Sequence, residues 1–362
     1  MNKHIKKVCC AVLAAAMTAA LAGCGGGTTA SQSSASSTTT PSAGGSASVS
    51  GDVDYSSLPK TTVILASSQS SSLNASVWLQ NEADKISQLT GGQLTIQLQF
   101  DGKLGGDTEE IEAVQAGDID LMLLSSSALL TFVPEIAVFD MPMMFDDADT
   151  AVAAIPQFTN DINELTTAKG IQTLGLGLSS FRALSTNTNI QTPADFSGMK
   201  IRTLENKYHM DFWENLGAEP TPIAFTDLYL SLSQGLVDAQ DNNIETILAM
   251  KFNEVQKYYM DITAFLNVSM IISNPNKFAS LDPAYQALIQ EFVDNFMANA
   301  YSIGMESADA AREQIGDDMT DLEYSDEIKA AMLEAARPVW DSIRKDIGDT
   351  LPDAYMKLAG RA

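Results

Sequence analysis

Strand-like and helix-like patterns alternate at the start of the folded part of this chain, and this alternation limits the fold more than any other feature. The run TTVILA has the composition of a buried strand, and apolar residues at helical spacing follow it as far as the stop at Gly91-Gly92. The first five predicted elements, alternately strand and helix, cover residues 61–66, 73–90, 94–100, 107–116 and 119–124. Such an order is typical of a parallel sheet covered by helices.

The same alternation extends to the C-terminus. Further strands are predicted at residues 171–178, 181–186, 200–204 and 236–240, with a strand or strand pair at 261–273. Further helices are predicted at residues 148–168, 206–216, 226–234, 282–314 and 328–358. The helix that opens with Asp282 as cap and Pro283 at its first position is on the order of 50 Å long. It is therefore long enough to lie across two domains and tie them together.

The N-terminus has the features of an export signal. Lys3, Lys6 and Lys7 precede an apolar run at residues 8–21 that is too short for a convincing membrane span. Leu21-Ala22-Gly23-Cys24 resembles the lipobox of bacterial lipoproteins, in which the signal is cut before the cysteine and the thiol is acylated. An ordinary signal with an incidental cysteine is the alternative. We therefore expect a signal peptide over residues 1–23 and a membrane anchor on Cys24.

Residues 24–59 are rich in Gly, Ser, Thr and Ala, which predicts a flexible tether between the anchor and the folded body. The remaining cysteines, Cys9 and Cys10, fall within the signal. No disulfide is then available after processing, so a full hydrophobic core has to hold the fold together.

A net charge of −25 over 362 residues excludes several classes of partner. A surface this acidic repels nucleic acid and anionic lipid headgroups, and it disfavours anionic ligands at long range. The two histidines are His4, in the signal, and His209, which leaves no zinc site and no Cys–His pair. The acidic group Asp140, Asp146, Asp147 and Asp149 is predicted to be a solvated loop rather than a cation site. We expect no cofactor and no metal.

Two arginines stand out against this acidic background. Arg182 and Arg202 are the only arginines between residues 61 and 300. A guanidinium makes paired hydrogen bonds to a carboxylate in a geometry that lysine does not reproduce. Arg202 is therefore predicted to anchor an acidic small molecule, with structural pairing to Glu205 or Asp195 as the alternative.

Several runs of the sequence carry a family resemblance. They are DGKLGGDTEEIEAVQAGDIDLMLLSS (101–126), PEIAVFDMPMMF (134–145), Phe181-Arg182, TPADFSGMKIRTL (192–204), LGAEPTPIAFTDLYLSLSQGLVDAQDN (216–242) and KFNEVQKYY (251–259). In this order they resemble the solute-binding proteins of TRAP transporters, the tripartite ATP-independent periplasmic family, over most of residues 61–300.

The resemblance implies roles for particular residues. Arg202 matches the family's carboxylate clamp and Arg182 an assisting arginine. Phe225 and Asn242 match ligand contacts, Asp241 takes the place of the family's Glu, and Tyr229 lies in a run that contributes to the pocket wall. Each has a structural alternative: an ion pair for Arg182, core packing for Phe225 and Tyr229, and helix capping for Asn242. Asn243 departs from the family, which has Pro there.

Further wall residues are predicted from their places in the fold. Residues 67–74 form the loop after the first strand, in which Asn74 stands where the family often has His, and Glu109 lies in the first turn of a helix. In α/β folds, loops after strands and helix starts face the ligand crevice.

The expected molecule is an extracytoplasmic, membrane-anchored, monomeric binding protein of α/β class. It has a two-lobe, type II-like periplasmic-binding fold whose lobes are bridged by crossover strands and a long helix. Lobe I covers residues 60–179 and 268–307, and lobe II covers 180–267 and 308–362. The ligand is a small organic acid, a C4-dicarboxylate or a sugar acid, delivered to an ion-gradient-driven TRAP permease.

Two other functions stay open at this stage. One is an ABC-type binding lipoprotein for an organic anion, which has a similar fold. The other is a secreted hydrolase that uses Glu109 and Asp241 as paired acids, against which the absence of a GxSxG or Walker A run argues.

Overall fold

The computed structural model describes residues 53–361, all within one unit that begins at Ser50. The predicted signal, the proposed anchor at Cys24 and most of the predicted tether lie outside the described residues. No helix in the described part of the chain combines the length and apolar composition that a bilayer span needs.

The described residues form two sheets and a set of covering helices. The strands are β1 Thr61–Ala66, β2 Leu94–Gln99, β3 Leu121–Ser125, β4 Gln172–Phe181, β5 Ala183–Thr186, β6 Lys200–Thr203, β7 Glu219–Pro222, β8 Ala239–Asn242, β9 Tyr258–Met260, β10 Leu266–Ser273 and β11 Thr320–Asp321. The helices are α1 Asn74–Leu89, α2 Asp107–Ala116, α3 Ala148–Ala154, α4 Thr159–Thr167, α5 Lys207–Asn215, α6 Leu228–Ser233, α7 Ile244–Ala249, α8 Pro275–Ala279, α9 Pro283–Ile315, α10 Asp326–Ile347 and α11 Thr350–Leu358.

The first sheet has the order β2-β1-β3-β10-β4. β1 runs parallel to β2 and β3, as the alternating pattern predicts. β10 is antiparallel to both β3 and β4, so the sheet is mixed and the parallel pattern is limited to its first three strands. The reason is the path of the chain. It enters β10 directly from β9 of the second sheet, without the crossover helix that would make β10 parallel to its neighbours.

The second sheet has the order β11-β9-β5-β8-β6-β7. β6 is parallel to β7 and β8, whereas β5 is antiparallel to β8 and β9. The carboxyl ends of β6 and β8 therefore point the same way, and they place Arg202 and Asn242 on one edge of this sheet.

The chain passes between the two sheets three times. Arg182 is the one residue between β4 and β5, and its backbone N–H donates to Phe265 O at 3.0 Å. Residues 261–265 carry the chain back from β9 to β10. α9 makes the third crossing, because it packs on α1 and β4 of the first lobe and on α7 of the second.

Three glycines allow α9 to approach β4 closely. A Cβ built on Gly304 of α9 would lie 2.5 Å from Ser179 O, and one on Gly177 of β4 would lie 2.9 Å from Met297 O. A Cβ on Gly175 would instead meet side-chain atoms, Val293 Cγ1 at 2.8 Å and Met297 Cγ at 2.9 Å. We call these three residues the glycine seam, and it fixes the long helix against the first sheet.

Some predicted elements differ from those observed. The helix predicted at 148–168 is divided into α3 and α4 by a 3₁₀ turn, Ile155–Phe158, because Pro156 lacks the N–H that a continuous helix uses. The run predicted at 261–273 contains β10 only, and the strand predicted at 236–240 begins at Ala239.

The acidic group around residue 140 is only partly a solvated loop. Asp146, Asp147 and Asp149 are exposed, but Asp140 is buried, which corrects the prediction for that residue. Its carboxylate accepts hydrogen bonds from Ser127 Oγ, from Asn206 Nδ2 at 2.6 Å and from His209 Nε2 at 3.1 Å. These donors satisfy the charge and allow its burial.

Candidate functional site

A cavity with about 490 Å³ of free space, part of it open to solvent, lies where the two lobes meet. The first sheet and the segments that follow its strands contribute Ser68, Asp107 and Asn267 to its wall. The second lobe contributes its two arginines and three neighbours, namely Arg182, Arg202, Phe225, Asn242 and Asn243. We call it the arginine cavity. It lies beyond the carboxyl ends of β1, β3, β6 and β8, where ligands bind in open α/β sheets.

Arg202 is a buried cation without an acidic partner. Its side chain is 3% exposed, and within residues 53–361 its one side-chain hydrogen bond runs from Nε to Ile223 O at 2.9 Å. It forms no ion pair with Glu205 or Asp195; the Asp195 carboxylate accepts instead from the N–H groups of Gln191 and Thr192. The structural pairing considered for Arg202 is thus not formed.

Burial and a second positive charge both disfavour the charged form of Arg202. Burial, with a smaller contribution from the nearby charge of Arg182, lowers the pKa of Arg202 to about 10, although Asp241 and Asp107 act in the opposite direction. A charged group in such a place gains most from an anion bound directly against it. The terminal nitrogens of Arg202 are therefore the donors that a carboxylate would use.

Arg182 is held in a structural ion pair and also lines the cavity. Its Nε donates to Asp241 Oδ2 at 2.5 Å, and its Nη2 donates to the backbone oxygen of Asp241. Nη2 also lies 3.3 Å from Asn242 Oδ1. Asp241 is 1% exposed and does not line the cavity, so it orients Arg182 from behind rather than facing a ligand.

Asn242 and Phe225 lie on the cavity wall. Asn242 ends β8, and its Nδ2 donates to Gln240 Oε1 at 2.6 Å. The residue at the cap position of α7 is Asn243, so Asn242 does not have the capping position considered for it. Phe225 is partly buried and lines both the arginine cavity and a wider one at its mouth.

Glu109 and Asn74 lie at two other parts of the cleft. Glu109 lines the wider outer cavity, and its Oε2 accepts from the Gly106 N–H at 3.0 Å, which caps α2. Asn74, the first residue of α1, is exposed and lines a third cavity next to the arginine cavity. Glu109 and Asp241 occupy different places, one on the rim and one behind Arg182.

Tyr229 is not brought to the cleft. Its side chain is on the outer face of α6, 36% of the residue is exposed, and its hydroxyl donates to Glu254 Oε2 at 3.2 Å. It lines neither the arginine cavity nor its neighbours in the described structure. The ring lies outside because residues 228–233 turn Leu228 and Leu232, rather than Tyr229, towards the core.

Several cavity residues were not predicted. Asp107, the first residue of α2, accepts from Ser68 Oγ at 2.6 Å; burial raises the pKa of Asp107, and the charge of Arg202 opposes that shift. Asn267 interrupts the apolar run LNVSMIIS, and a polar residue inside a buried strand is the signal by which it was detectable. Asn243 was visible as a departure from the family's Pro.

The third cavity contains a buried carboxylate. Glu245 of α7 is 8% exposed; its Oε1 accepts from Asn243 Nδ2 at 2.5 Å, and its Oε2 has no hydrogen-bond partner. Burial raises the pKa of Glu245, and the amide of Asn243 opposes the shift. We call this space the glutamate cavity; it has about 370 Å³ of free space, part of it open to solvent.

No group of three or more metal-ligating side chains is placed to hold an ion in the part of the chain that the structure describes. His209 is buried against Asp140 and stacks on Phe265 with 3.7 Å between ring centres. That histidine is therefore part of the packing between elements and lies apart from the cavities.

Comparison with known proteins places these features in context. The sequence profile of the family described as bacterial extracellular solute-binding protein, family 7 (DctP), matches residues 66–346. A solute-binding protein of Verminephrobacter eiseniae (strain EF01-2) is 28% identical over 292 residues, which cover 80% of this chain and 87% of the relative.

Two solved structures are similar throughout the folded body. A TRAP periplasmic solute-binding protein from Polaromonas sp. JS666, bound to D-erythronate, is 27% identical with a TM-score of 0.76, covering 82% of this chain and 98% of the other. A second, from Shewanella oneidensis with bound succinate, is 20% identical with a TM-score of 0.77, covering 83% and 99%, and shows the fold alone. The predicted α/β two-lobe fold and the resemblance to TRAP solute-binding proteins are confirmed.

Proposed function

Because this chain belongs to family 7 of the bacterial extracellular solute-binding proteins, matched over residues 66–346, we propose that it captures a small carboxylate-bearing solute in the arginine cavity. It then delivers this solute to the membrane permease of a TRAP transporter. The solute is bound and released without chemical change.

The unpaired Arg202 is the observation that supports this proposal most directly. A buried charge is costly unless a partner of opposite sign lies against it, and removing such a partner is among the most destabilising changes in a protein interior. In a chain with 46 acidic residues, Arg202 nevertheless has none within ion-pair distance among residues 53–361. The bound solute supplies the missing anion.

Arg182 and its neighbours complete the carboxylate site. Asp241 neutralises part of the charge on Arg182 and holds its guanidinium in one orientation. Arg202 is then the principal anchor and Arg182 the assisting one, with Asn242 and Phe225 as the adjoining wall. Closure of the lobes excludes water and strengthens the pair between arginine and carboxylate.

The class of solute is a small organic acid, a C4-dicarboxylate or a sugar acid. The Polaromonas protein binds D-erythronate and the Shewanella protein binds succinate, both four-carbon acids. The negative charge of this chain supports a local site of fixed donors over a broad positive surface.

We also propose how the molecule is deployed. A lipid on Cys24 anchors it on the outer side of the cell membrane, residues 24–59 act as the tether, and the body acts as a monomer. Lobe I comprises residues 60–179 and 268–307, and lobe II residues 180–267 and 308–362. The family's description as extracellular supports the location, and the lipobox resemblance supports the anchor.

Titration calorimetry with D-erythronate and succinate tests the proposal. We expect at least one of them to bind the wild type, Arg202→Ala to weaken that binding at least roughly a hundred-fold, and Arg202→Lys by roughly ten-fold, because lysine makes a single contact where arginine makes two. The control is Arg337→Ala, at an exposed arginine of α10 whose nearest acid is Glu334. Wild-type affinity in Arg202→Ala, or no binding of either acid by the wild type, would overturn the proposal.

A further inference from the structure

The glutamate cavity adjoins the arginine cavity. Gln69, Asn243 and Asn267 line both, so a solute anchored at Arg202 and long enough to pass these amides would reach Glu245. The two cavities differ in charge: two arginines and Asp107 line the first, whereas Glu245 is the one ionisable side chain among the described residues that line the second.

The wall around Glu245 contains no cation. Its polar members are uncharged hydroxyl and amide groups, among them Ser179, Ser269 and Ser307, and the lining of the glutamate cavity has no Lys, Arg or His. Ser179 and Ser269 share a hydrogen bond of 2.6 Å between their hydroxyl oxygens. A second anionic group of a solute would find no positive partner here.

Glu245 itself has an acceptor to spare. Asn243 Nδ2 occupies Oε1, but Oε2 is buried and unpartnered. A buried acceptor without a hydrogen bond costs free energy. A donor on the solute that bonds to Glu245 Oε2 would remove this cost and so strengthen binding. A carboxylate on the solute has the opposite effect, because two carboxylates in one low-dielectric space cannot both ionise.

Main chain of α9 lies close to Glu245 on one side of the cavity. Gly304 of α9 lines the same space, a Cβ on it would lie 3.8 Å from Glu245 Oε1, and the backbone there already approaches Ser179 O. On this side the wall near Glu245 is main chain, which moves less easily than a side chain.

We propose that Glu245 selects a polyhydroxy monocarboxylate, whose far hydroxyl groups donate to it, and rejects a dicarboxylate of the same length. This inference rests on the proposed function, because it presumes that the solute's carboxylate is held at Arg202. Hydroxyls fit better than an ammonium group, since the serine and asparagine side chains nearby both donate and accept hydrogen bonds, as hydroxyls do, whereas ammonium only donates.

Matched pairs of acids test this selection by titration calorimetry on the full chain. meso-Tartrate is D-erythronate with its terminal CH₂OH replaced by a carboxylate, and galactarate is related to D-galactonate in the same way. We expect the wild type to bind the better monocarboxylate at least ten-fold more tightly than its dicarboxylate partner. Glu245→Gln keeps the shape of the side chain and removes its charge. We expect it to reduce that ratio at least ten-fold, chiefly by strengthening the binding of the dicarboxylate.

The control is Glu313→Gln, at an exposed glutamate of α9 that does not line the cavity. We expect it to leave the ratio unchanged. The ratio of monocarboxylate to dicarboxylate affinity is measured on the wild type alone. It therefore tests the proposed selection even if Glu245→Gln folds poorly. Equal or tighter binding of the dicarboxylate by the wild type overturns the selection while leaving the carboxylate anchor at Arg202 in place. Tighter binding of 4-aminobutanoate than of D-erythronate overturns the preference for hydroxyls. Binding of none of these acids overturns the inference together with the proposed function.

Discussion

Glu110 is a buried carboxyl group in the first turn of α2 that forms no side-chain hydrogen bond. It has no exposed surface, and neither carboxyl oxygen has a partner. Burial, together with the charges of Asp107 and Glu109, raises the pKa of Glu110 to about 8. The group is therefore protonated in the folded protein at neutral pH.

This protonation makes stability fall as the pH rises. Between pH 4.5, the ordinary pKa, and about 8, the folded state keeps a proton that the unfolded state has lost, so the unfolded state binds fewer protons and is favoured by raising the pH. We expect Glu110→Gln to remove a slope of about 1 kcal/mol per pH unit from the free energy of unfolding over this window. Urea unfolding of the wild type and the variant at several pH values between 5 and 8 measures the difference.

The neighbouring glutamate of the same helix provides the control. Glu112 is exposed, and Glu112→Gln should leave the pH slope as it is in the wild type. Parallel curves for the wild type and Glu110→Gln across the whole window would contradict the argument.

At this scale the sequence located the proposed anchor better than the residues of the cavity wall. Arg202 was predictable because its motif is local and because an arginine is rare in the central part of the chain. Asp107 was not, since its place in the cavity depends on how distant strands pair. Asn267 was marked as unusual by its polar side chain in an apolar strand, but that signal did not show which surface it lines. Tyr229 shows the converse. The motif around it predicted a wall residue, but it follows the buried Leu228 in a short helix, and its ring therefore faces solvent.

Among the elements, α9 depends on backbone contact with β4. At Gly177 and Gly304 an added Cβ would meet main-chain oxygen atoms, whereas at Gly175 it would meet the side chains of Val293 and Met297. Main chain cannot yield without moving a whole element, but a methionine adapts readily. The cost of an added methyl group should therefore differ along the glycine seam.

We expect Gly304→Ala and Gly177→Ala each to lower the free energy of unfolding by about 2 kcal/mol or more, and Gly175→Ala by about half as much. Chemical denaturation of the three variants measures the order. Ser302→Ala, on the exposed side of the same helix, is the control and should be nearly neutral. A larger loss for Gly175→Ala than for Gly304→Ala would contradict the contact geometry.

Elements with strong local signals were predicted well, and those defined by pairing were not. α9 was bounded by its Asp282 cap and Pro283, and α2 by Gly117, which has a positive φ of 82°. The direction of β10 depends on where the chain returns from, which no local pattern records. Its antiparallel place between β3 and β4 was therefore missed.

The charge of the whole molecule opposes the arrival of its proposed solute. The net charge of −25 repels an anion at long range, while the arginines act only at short range inside the cleft. Added salt shortens the range of the repulsion from about 30 Å at 10 mM to about 8 Å at 150 mM.

The association rate constant of D-erythronate should accordingly rise by a factor of roughly two or more between about 10 and 200 mM NaCl. Stopped-flow measurement of association tests this, with the dissociation rate constant as the internal control that stays nearly unchanged. A rate that falls with salt would mean that the arginines steer the solute from a distance.

The two-lobe architecture as a whole was predictable through the family resemblance rather than from composition. Alternating strands and helices indicate an α/β protein of this size, but they do not show where the chain changes sheet. The change at Arg182 is a property of pairings between residues far apart in sequence, such as Ala183 with Asn242.

A single residue, Arg182, links β4 of the first sheet to β5 of the second. One residue spans at most about 3.6 Å, so the lobes cannot draw straight apart without unzipping a strand. We therefore expect the lobes to separate by rotation about an axis near Arg182, so that the gap opens as a wedge. Because Arg182 also lines the arginine cavity, the proposed solute would lie near the narrow end of that wedge, and its width would set the angle between the closed lobes.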